Sequence, residues 1–237
     1  GSLGLMPLAA VEQVLRAFLT RYRVLREDPR VAYVVLFKNH GAEAGCSLDH
    51  PHSQIVATPV VPPEVSGRLA TARAYHAAHG ECLACRLLEA ELASGERIVD
   101  ANDDFVAYIP FAAYSPYHSW LFPRAHQASF GEITAPQLAN LARCVRTLLH
   151  KVHAGLGDPD YNLMVRSVPG SSREAPYWHW YVTLVPRVSR QAGFELGSGM
   201  FINTALPEDS ARVLRQAPGP RDDGPAGAQS TSSTRKP

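Results

Sequence analysis

The sequence predicts an α+β protein with an antiparallel sheet and flanking helices, in which one structural unit is partial and one is complete. Three observations point to the fold class. Runs with apolar residues at helical spacing alternate with short runs rich in β-branched and aromatic residues. Three short strands follow one another as a meander before residue 123. The order helix, strand, loop, strand over residues 7–58 recurs over residues 135–186.

Each element has a local cause. Pro7 suits the first turn of a helix, and Pro62-Pro63 starts another helix that stops near Gly80. Helices are predicted at 7–28, 63–79, just after Cys82, 135–154 and 207–215. Strands are predicted at 31–38, 53–58, 97–101, 105–109, 117–122, 161–167 and 179–186.

Composition excludes several classes of partner. The chain has 237 residues and a net charge of +1, so it carries no electrostatic footprint for nucleic acid and no polybasic membrane anchor. No apolar run approaches the roughly 20 residues that span a bilayer. No signal peptide is visible, which predicts a cytoplasmic protein.

The most informative stretch is His50-Pro51-His52-Ser53-Gln54. In an extended segment alternate residues face the same side, so the two imidazoles and the amide would line up. A neutral imidazole can attack phosphorus and form a covalent intermediate. An isolated histidine pair is more often polar surface. The preceding loop, with Asn39, Ser47 and two glycines, favours a phosphate-handling site instead.

The run from Phe37 to Gln54 fits the pattern F-x-N-x-G-x-x-x-G-x-S-x-x-H-P-H-x-Q without a gap. This pattern resembles the galactose-1-phosphate uridylyltransferase branch of the histidine-triad superfamily. The resemblance implies that His52 is the nucleophile that accepts a nucleotidyl group. It also implies that Gln54 hydrogen-bonds the phosphoryl oxygens and that Asn39 and Ser47 donate to substrate phosphates. A carboxamide cannot titrate, so Gln54 favours transfer to a second substrate over hydrolysis.

Cys82 and Cys85 form a C-x-x-C pair, which alone is weak evidence for a metal or redox site. His126 and His179, each beside a strand-like segment, would complete a Cys2His2 set of the kind that zinc accepts. The resemblance implies the same four ligands and a structural zinc, with iron as an alternative. The competing interpretation is two buried thiols and two unrelated histidines. His50 would be a ligand of another metal site only if an upstream segment supplied the rest.

The internal repeat predicts three regions. Residues 1–67 would be the C-terminal part of a first unit, residues 68–216 a complete second unit, and residues 217–237 a disordered tail. The resemblance implies that the front part of the first unit has no counterpart in this sequence. In the second unit Tyr181 stands where many relatives have histidine, and tyrosine is no neutral-pH nucleophile. Glu195 is expected to contact the sugar, with an ordinary exposed carboxylate as the alternative.

The resemblance implies a transferase that moves UMP between a UDP-sugar and a hexose 1-phosphate through uridylyl-His52. Two alternatives remain open. One is a nucleoside-diphosphate-sugar or dinucleotide phosphorylase, and the other is a non-catalytic, zinc-stabilised domain that binds a nucleotide or a partner chain. Family members dimerise, so a homodimer or a pairing with a chain that supplies the missing segment is expected.

Overall fold

The computed structural model describes residues 2–46, 52–170 and 175–221. The predicted site residues Ser47 and His50 and most of the predicted tail lie outside these ranges. The helices are α1 Leu8–Arg26, α2 Pro63–His79, α3 Leu83–Ser94, α4 Ala135–Leu156, α5 Gly193–Ser198 and α6 Pro207–Gln216. Short 3-10 turns lie at Leu3–Leu5, Ala42–Ala44 and Phe130–Glu132.

Seven strands form one sheet, and every neighbouring pair in it is antiparallel. The strands are β1 Tyr33–His40, β2 Gln54–Thr58, β3 Ile98–Ala101, β4 Phe105–Tyr108, β5 Ser119–Pro123, β6 Tyr161–Arg166 and β7 Tyr181–Pro186. Their order across the sheet is β2-β1-β6-β7-β5-β4-β3. The predicted fold class, an α+β antiparallel sheet with flanking helices, is confirmed. The strands of both predicted units lie in this single sheet, and the division at residue 67 stays a prediction.

The main hydrophobic core lies on one face of the sheet, beneath α1 and α4. Leu36 of β1 and Leu163 of β6 point into it, where they meet fully buried residues such as Leu141 of α4. The alternation of strand residues sends Phe37 and Met164 to the opposite face. Two smaller apolar clusters lie on that side, around α2 and α3. We call the side that carries Phe37 and Met164 the open face.

Helix α4, the longest, has defined ends. The side chain of Thr134 accepts a hydrogen bond from the Gln137 backbone N–H, and Gln137 reciprocates, which makes a capping box. Gly157 closes the helix in the left-handed conformation, at φ 73°. These signals lie in the sequence, which is why the predicted helix matches closely.

Two local features differ from the prediction. Strand β7 begins at Tyr181 rather than at residue 179, because the Trp180 N–H donates to the Gln127 carbonyl and not to a neighbouring strand. The glycine-rich stretch after residue 192 contains the short helix α5, which its composition did not indicate. Within the described residues, none of the helices is both long and apolar enough to cross a bilayer.

Candidate functional site

The candidate nucleophile His52 lies at the entry to β2, two residues before Gln54. Its backbone carbonyl accepts a hydrogen bond of 3.1 Å from Nζ of Lys38 on the adjacent strand. Only 3% of Lys38 is exposed, and burial lowers the pKa of its ammonium group. The lysine therefore ties the His52 backbone to β1 at the point where the chain enters β2.

Gln54 and Asn39 belong to the open face. Gln54 pairs with Phe37 across β2 and β1, and directly opposed residues share a face. Asn39 follows Phe37 by two residues and is on the same side. Its Oδ1 accepts a hydrogen bond of 2.9 Å from Asn162 on β6. With its oxygen so engaged, the Asn39 amide presents its N–H2 group as a donor, 3.9 Å from where a Cβ on Gly45 would lie.

The loop after β1 depends on two glycines. Gly41 and Gly45 both have φ of 81°, a left-handed region that side chains rarely adopt. A Cβ on Gly41 would also overlap the Asp160 carboxylate. Asp160 Oδ2 accepts a hydrogen bond of 2.6 Å from the Glu43 backbone N–H. The loop is thus fixed to the start of β6 immediately before the segment that contains Ser47, whose expected phosphate contact lies outside the described residues.

A second set of side chains forms a Cys/His cluster between three elements. Cys82 and Cys85 flank the start of α3, His126 lies in the loop after β5, and His179 precedes β7. The ligand atoms of Cys82, Cys85 and His126 all lie within 4.8 Å of one another. The Cys85 sulfur is 3.2 Å from His126 Nδ1 and 3.4 Å from His179 Nδ1. Three of the predicted ligands therefore form one close group, and His179 joins it through its contact with Cys85.

The electrostatics of the cluster suit a cation. A hydrogen bond from the Cys85 thiol, aided by His126, lowers the pKa of Cys82 to about 4. That hydrogen bond raises the pKa of Cys85, while contact with Cys82 raises the pKa of His126. Burial lowers the pKa of His179 to about 4, so it is a neutral imidazole near pH 7. Two sulfurs and two imidazoles in contact are a donor set that fits tetrahedral zinc.

Glu195 is partly exposed and makes a local contact. Its Oε2 accepts a hydrogen bond of 2.9 Å from the Ala192 backbone N–H at the start of α5, which is the largest cause of its lowered pKa. The carboxylate lies beside a small depression that Tyr114 and Phe201 also line. Its expected role as a sugar contact stays a prediction.

Sequence reasoning missed three groups on or near the site. Lys38 is the first. The signal was its spacing, because Lys38 follows Val34 and Leu36 at intervals of two residues and so lies on the same buried face of the strand. The second is Arg68, whose Nη1 donates a hydrogen bond of 2.6 Å to the Tyr181 hydroxyl.

The third is His118, which the sequence left unassigned. Its Nε2 lies 2.8 Å from Thr183 Oγ1 and accepts from the Trp120 indole N–H at 3.1 Å. Burial lowers its pKa to about 3, so the ring is neutral near pH 7. No local sequence signal identified this network, because it joins β5 to β7 across the sheet.

Comparison with known proteins gives a consistent result. Residues 9–227 match a family described as a domain of unknown function, DUF4921. The chain is 36% identical over 208 residues to ADP-glucose phosphorylase of Arabidopsis thaliana, which covers 87% of this chain and 58% of that protein. It is 30% identical over 220 residues to galactose-1-phosphate uridylyltransferase of Thermotoga maritima, covering 89% of this chain and 68% of that protein.

A solved structure of the Arabidopsis thaliana ADP-glucose phosphorylase with bound ADP-glucose superimposes with a TM-score of 0.85 at 33% identity, over 92% of this chain and 70% of that chain. The chain thus spans between about half and three quarters of the length of these relatives. Within that span the identity, the coverage and the shared fold agree. The chain therefore belongs to the galactose-1-phosphate uridylyltransferase family.

Proposed function

We propose that this chain carries the nucleophile of a nucleotidyltransferase that acts on a nucleotide sugar. An imidazole nitrogen of His52 attacks the α-phosphorus, the bond from phosphorus to the bridging oxygen breaks, and the sugar 1-phosphate leaves. A phosphate oxygen of the acceptor then attacks the same phosphorus and restores the free imidazole. The observation that supports this most directly is that Gln54, two residues after His52, shares the open face with Asn39.

The groups around His52 have distinct tasks in this scheme. Gln54 and Asn39 donate N–H groups to the phosphoryl oxygens, where negative charge builds up during each attack. Ser47 is proposed as a further donor. Gln54 has no proton to exchange near neutral pH, so it holds the phosphoryl group without activating a water. The covalent nucleotidyl-His52 intermediate therefore persists until an acceptor binds.

Two acceptors are candidates. A hexose 1-phosphate with a UDP-sugar as donor gives the uridylyltransferase reaction, and inorganic phosphate gives a nucleotide-sugar phosphorylase. The 36% identity to ADP-glucose phosphorylase favours the second at least as much as the first. The chemistry at His52 is the same in both, so the donor base and the acceptor pocket decide between them.

We also propose that Cys82, Cys85, His126 and His179 hold a structural zinc ion, with iron as the alternative. The metal would be closed off by four protein ligands and would tie α3 to the segments that flank β5 and β7. It would take no part in the transfer.

The sugar end of the substrate is proposed to contact Glu195. We expect a homodimer, or a complex with a chain that completes the site, which light scattering can test.

The direct test is intact-mass spectrometry of the metal-loaded protein after incubation with UDP-glucose or with ADP-glucose. We expect a mass increase of one uridylyl or adenylyl group in the wild type and in His79→Ala, an exposed histidine on α2. His52→Ala should show no adduct. Adding inorganic phosphate or galactose 1-phosphate then identifies the acceptor, because only the true acceptor discharges the adduct. A folded wild type without any adduct would favour the non-catalytic binding domain.

A further inference from the structure

A cavity of about 390 Å³ opens on the open face, between α2, α3 and strands β5 and β7. It is separate from the His52 site, which lies at the entry to β2, an edge strand that β1 and β6 separate from β7. Its volume falls in the range of small-molecule sites. The residues that matter for its chemistry are Gly67, Arg68, Trp120, Phe122, Trp178 and Tyr181. We call it the α2–α3 cavity.

The walls of the α2–α3 cavity are aromatic. The rings of Phe122 and Tyr181 stack with centroids 4.7 Å apart and planes 11° apart, and Trp120 lies 5.2 Å from Tyr181. Trp178 closes another side, and its buried indole N–H has no hydrogen-bond partner among the described residues. Flat aromatic walls of this kind suit a planar ring, which stacks on them at little entropic cost.

One end of the cavity holds an ion pair between Arg68 and Glu64. Arg68 donates a hydrogen bond of 2.6 Å to the Tyr181 hydroxyl and pairs with Glu64 at 2.9 Å. Its side chain remains 38% exposed, so the guanidinium can still meet an anionic group that enters from solvent. A ring between aromatic walls and an anion at a guanidinium are the two halves of nucleotide recognition.

The position of the cavity follows from the register of the sheet. Gln54 is opposite Phe37, Thr183 is opposite Met164, and Phe37 and Met164 are opposite each other. Thr183 therefore corresponds to Gln54, and Tyr181, two residues earlier, corresponds to His52. The Tyr181 hydroxyl accepts a hydrogen bond from Arg68, and a tyrosine is not a nucleophile near neutral pH.

We propose that the α2–α3 cavity is a second nucleotide site, in which the base stacks among the aromatic rings and a phosphate meets Arg68, without covalent transfer. The choice of a nucleotide as ligand rests in part on the proposed function of His52. Binding in the cavity and transfer at His52 are otherwise independent, since none of the described residues that line the cavity belongs to β2.

Gly67 provides a matched pair of variants. It lines the cavity on α2, and a Cβ added to it would have no atom within 4 Å. Gly67→Ala leaves the cavity open, while Gly67→Leu fills part of it, and both are compatible with a helix. Arg68→Gln is a second, independent variant that removes the guanidinium group from the cavity. Thermal melting and metal content should be measured for all three, because His179 also borders the cavity.

The experiment is equilibrium dialysis of the full chain against ADP, with adenosine as a second probe. We expect Gly67→Leu to bind one ADP fewer per chain than Gly67→Ala. Because only this difference counts, failure of the His52 site lowers both totals and leaves the difference unchanged. We expect Arg68→Gln to weaken the binding of ADP at this site by about 10-fold, the effect of losing one charge-assisted contact, while adenosine binding changes less.

Equal binding of ADP by the two Gly67 variants, both folded and metal-loaded, would overturn the proposal. So would a change of oligomeric state in Gly67→Leu with no change in ADP binding, since the cavity would then be covered by a second copy of the chain. An equal effect of Arg68→Gln on ADP and adenosine would remove the phosphate contact from the proposal.

Discussion

Phe37 of β1 stands directly opposite Met164 of β6, and each has one further partner, Gln54 on β2 and Thr183 on β7. These two residues mark a local two-fold relation between the strand pairs β1–β2 and β6–β7. The relation connects the sequence repeat to the open face. It relates the position of the candidate nucleophile His52, at the strand pair β1–β2, to the position of Tyr181, which contacts Arg68, at the strand pair β6–β7.

The two sides have diverged in chemistry. At His52 the neighbouring groups are amides and a loop that can meet phosphate oxygens, and the imidazole can form a bond to phosphorus. Around Tyr181 lie Thr183, which is the counterpart of Gln54, a neutral His118 and aromatic rings. The same strand geometry thus supports transfer at one position and, as proposed, only binding at the other.

The first prediction concerns Gln54. Gln54→His introduces a side chain that can shuttle a proton to and from water beside the phosphorylated histidine. We expect the nucleotidyl adduct of this variant to hydrolyse at least about 10-fold faster than that of the wild type in the absence of an acceptor. The measurement is the decay of the adduct by intact mass. Gln54→Asn, which stays an amide, is the control, and an equally rapid decay in it would assign the effect to lost packing.

The second prediction concerns Lys38. Burial lowers its pKa in the folded state below the usual 10.5, so between these two values the unfolded chain binds more protons. Its contribution to the free energy of unfolding therefore rises with pH through that window. We expect the stability of the wild type relative to Lys38→Met to increase as pH rises toward 10.5. Urea unfolding at several pH values measures this, and parallel curves for the two proteins would contradict it.

Most elements were predictable because their signals are local. Pro62-Pro63 and Gly80 bound α2, and Thr134 with Gln137 caps α4, so the predicted helices match the structure closely. Helix α5 was missed because three glycines in the run Gly193-Phe194-Glu195-Leu196-Gly197-Ser198-Gly199 argue against helix. A hydrogen bond from the Ala192 N–H to Glu195 caps it nonetheless.

The candidate site was predictable only where it forms a continuous motif. Strand alternation predicted that His50, His52 and Gln54 share a face, and the resemblance supplied the role of Asn39. In the structure Gln54 and Asn39 lie on the open face. The prediction that Cys85 lies near His126 and His179 depended on residue types and on the resemblance, because Cys85 and His179 are 94 positions apart in the chain. The contact of Arg68 with Tyr181 spans 113 positions and has no motif, so only the fold brings it together.

The third prediction concerns the loop after β1. Gly41→Ala must adopt a left-handed φ and displace the Asp160 carboxylate, which anchors the Glu43 N–H. We expect a loss of about 1–3 kcal/mol in the free energy of unfolding and a reduced yield of the His52 adduct. Gly45→Ala is the comparison variant, since it also has φ of 81° but lies in the αL region at ψ 24°, whereas Gly41 has ψ 164°, and a Cβ on Gly45 overlaps no atom. We expect the larger loss in Gly41→Ala, and equal losses in both variants would mean that the overlap with Asp160 adds nothing to the effect.

The fourth prediction concerns the Cys/His cluster, which joins α3 to the segments beside β5 and β7. A structural zinc contributes its binding free energy to folding, of order 10 kcal/mol in small zinc domains. In a chain of this size, each kcal/mol of unfolding free energy shifts Tm by about 2–4 °C. We therefore expect prolonged chelation, confirmed by elemental analysis, to lower Tm by at least about 10 °C. His126→Ala should bind less metal and have a lower Tm, because the three remaining donors no longer enclose the ion. His79→Ala should retain the metal content and the Tm of the wild type. A protein whose Tm is indifferent to complete metal removal would make the four residues a hydrogen-bonded thiol and imidazole cluster instead.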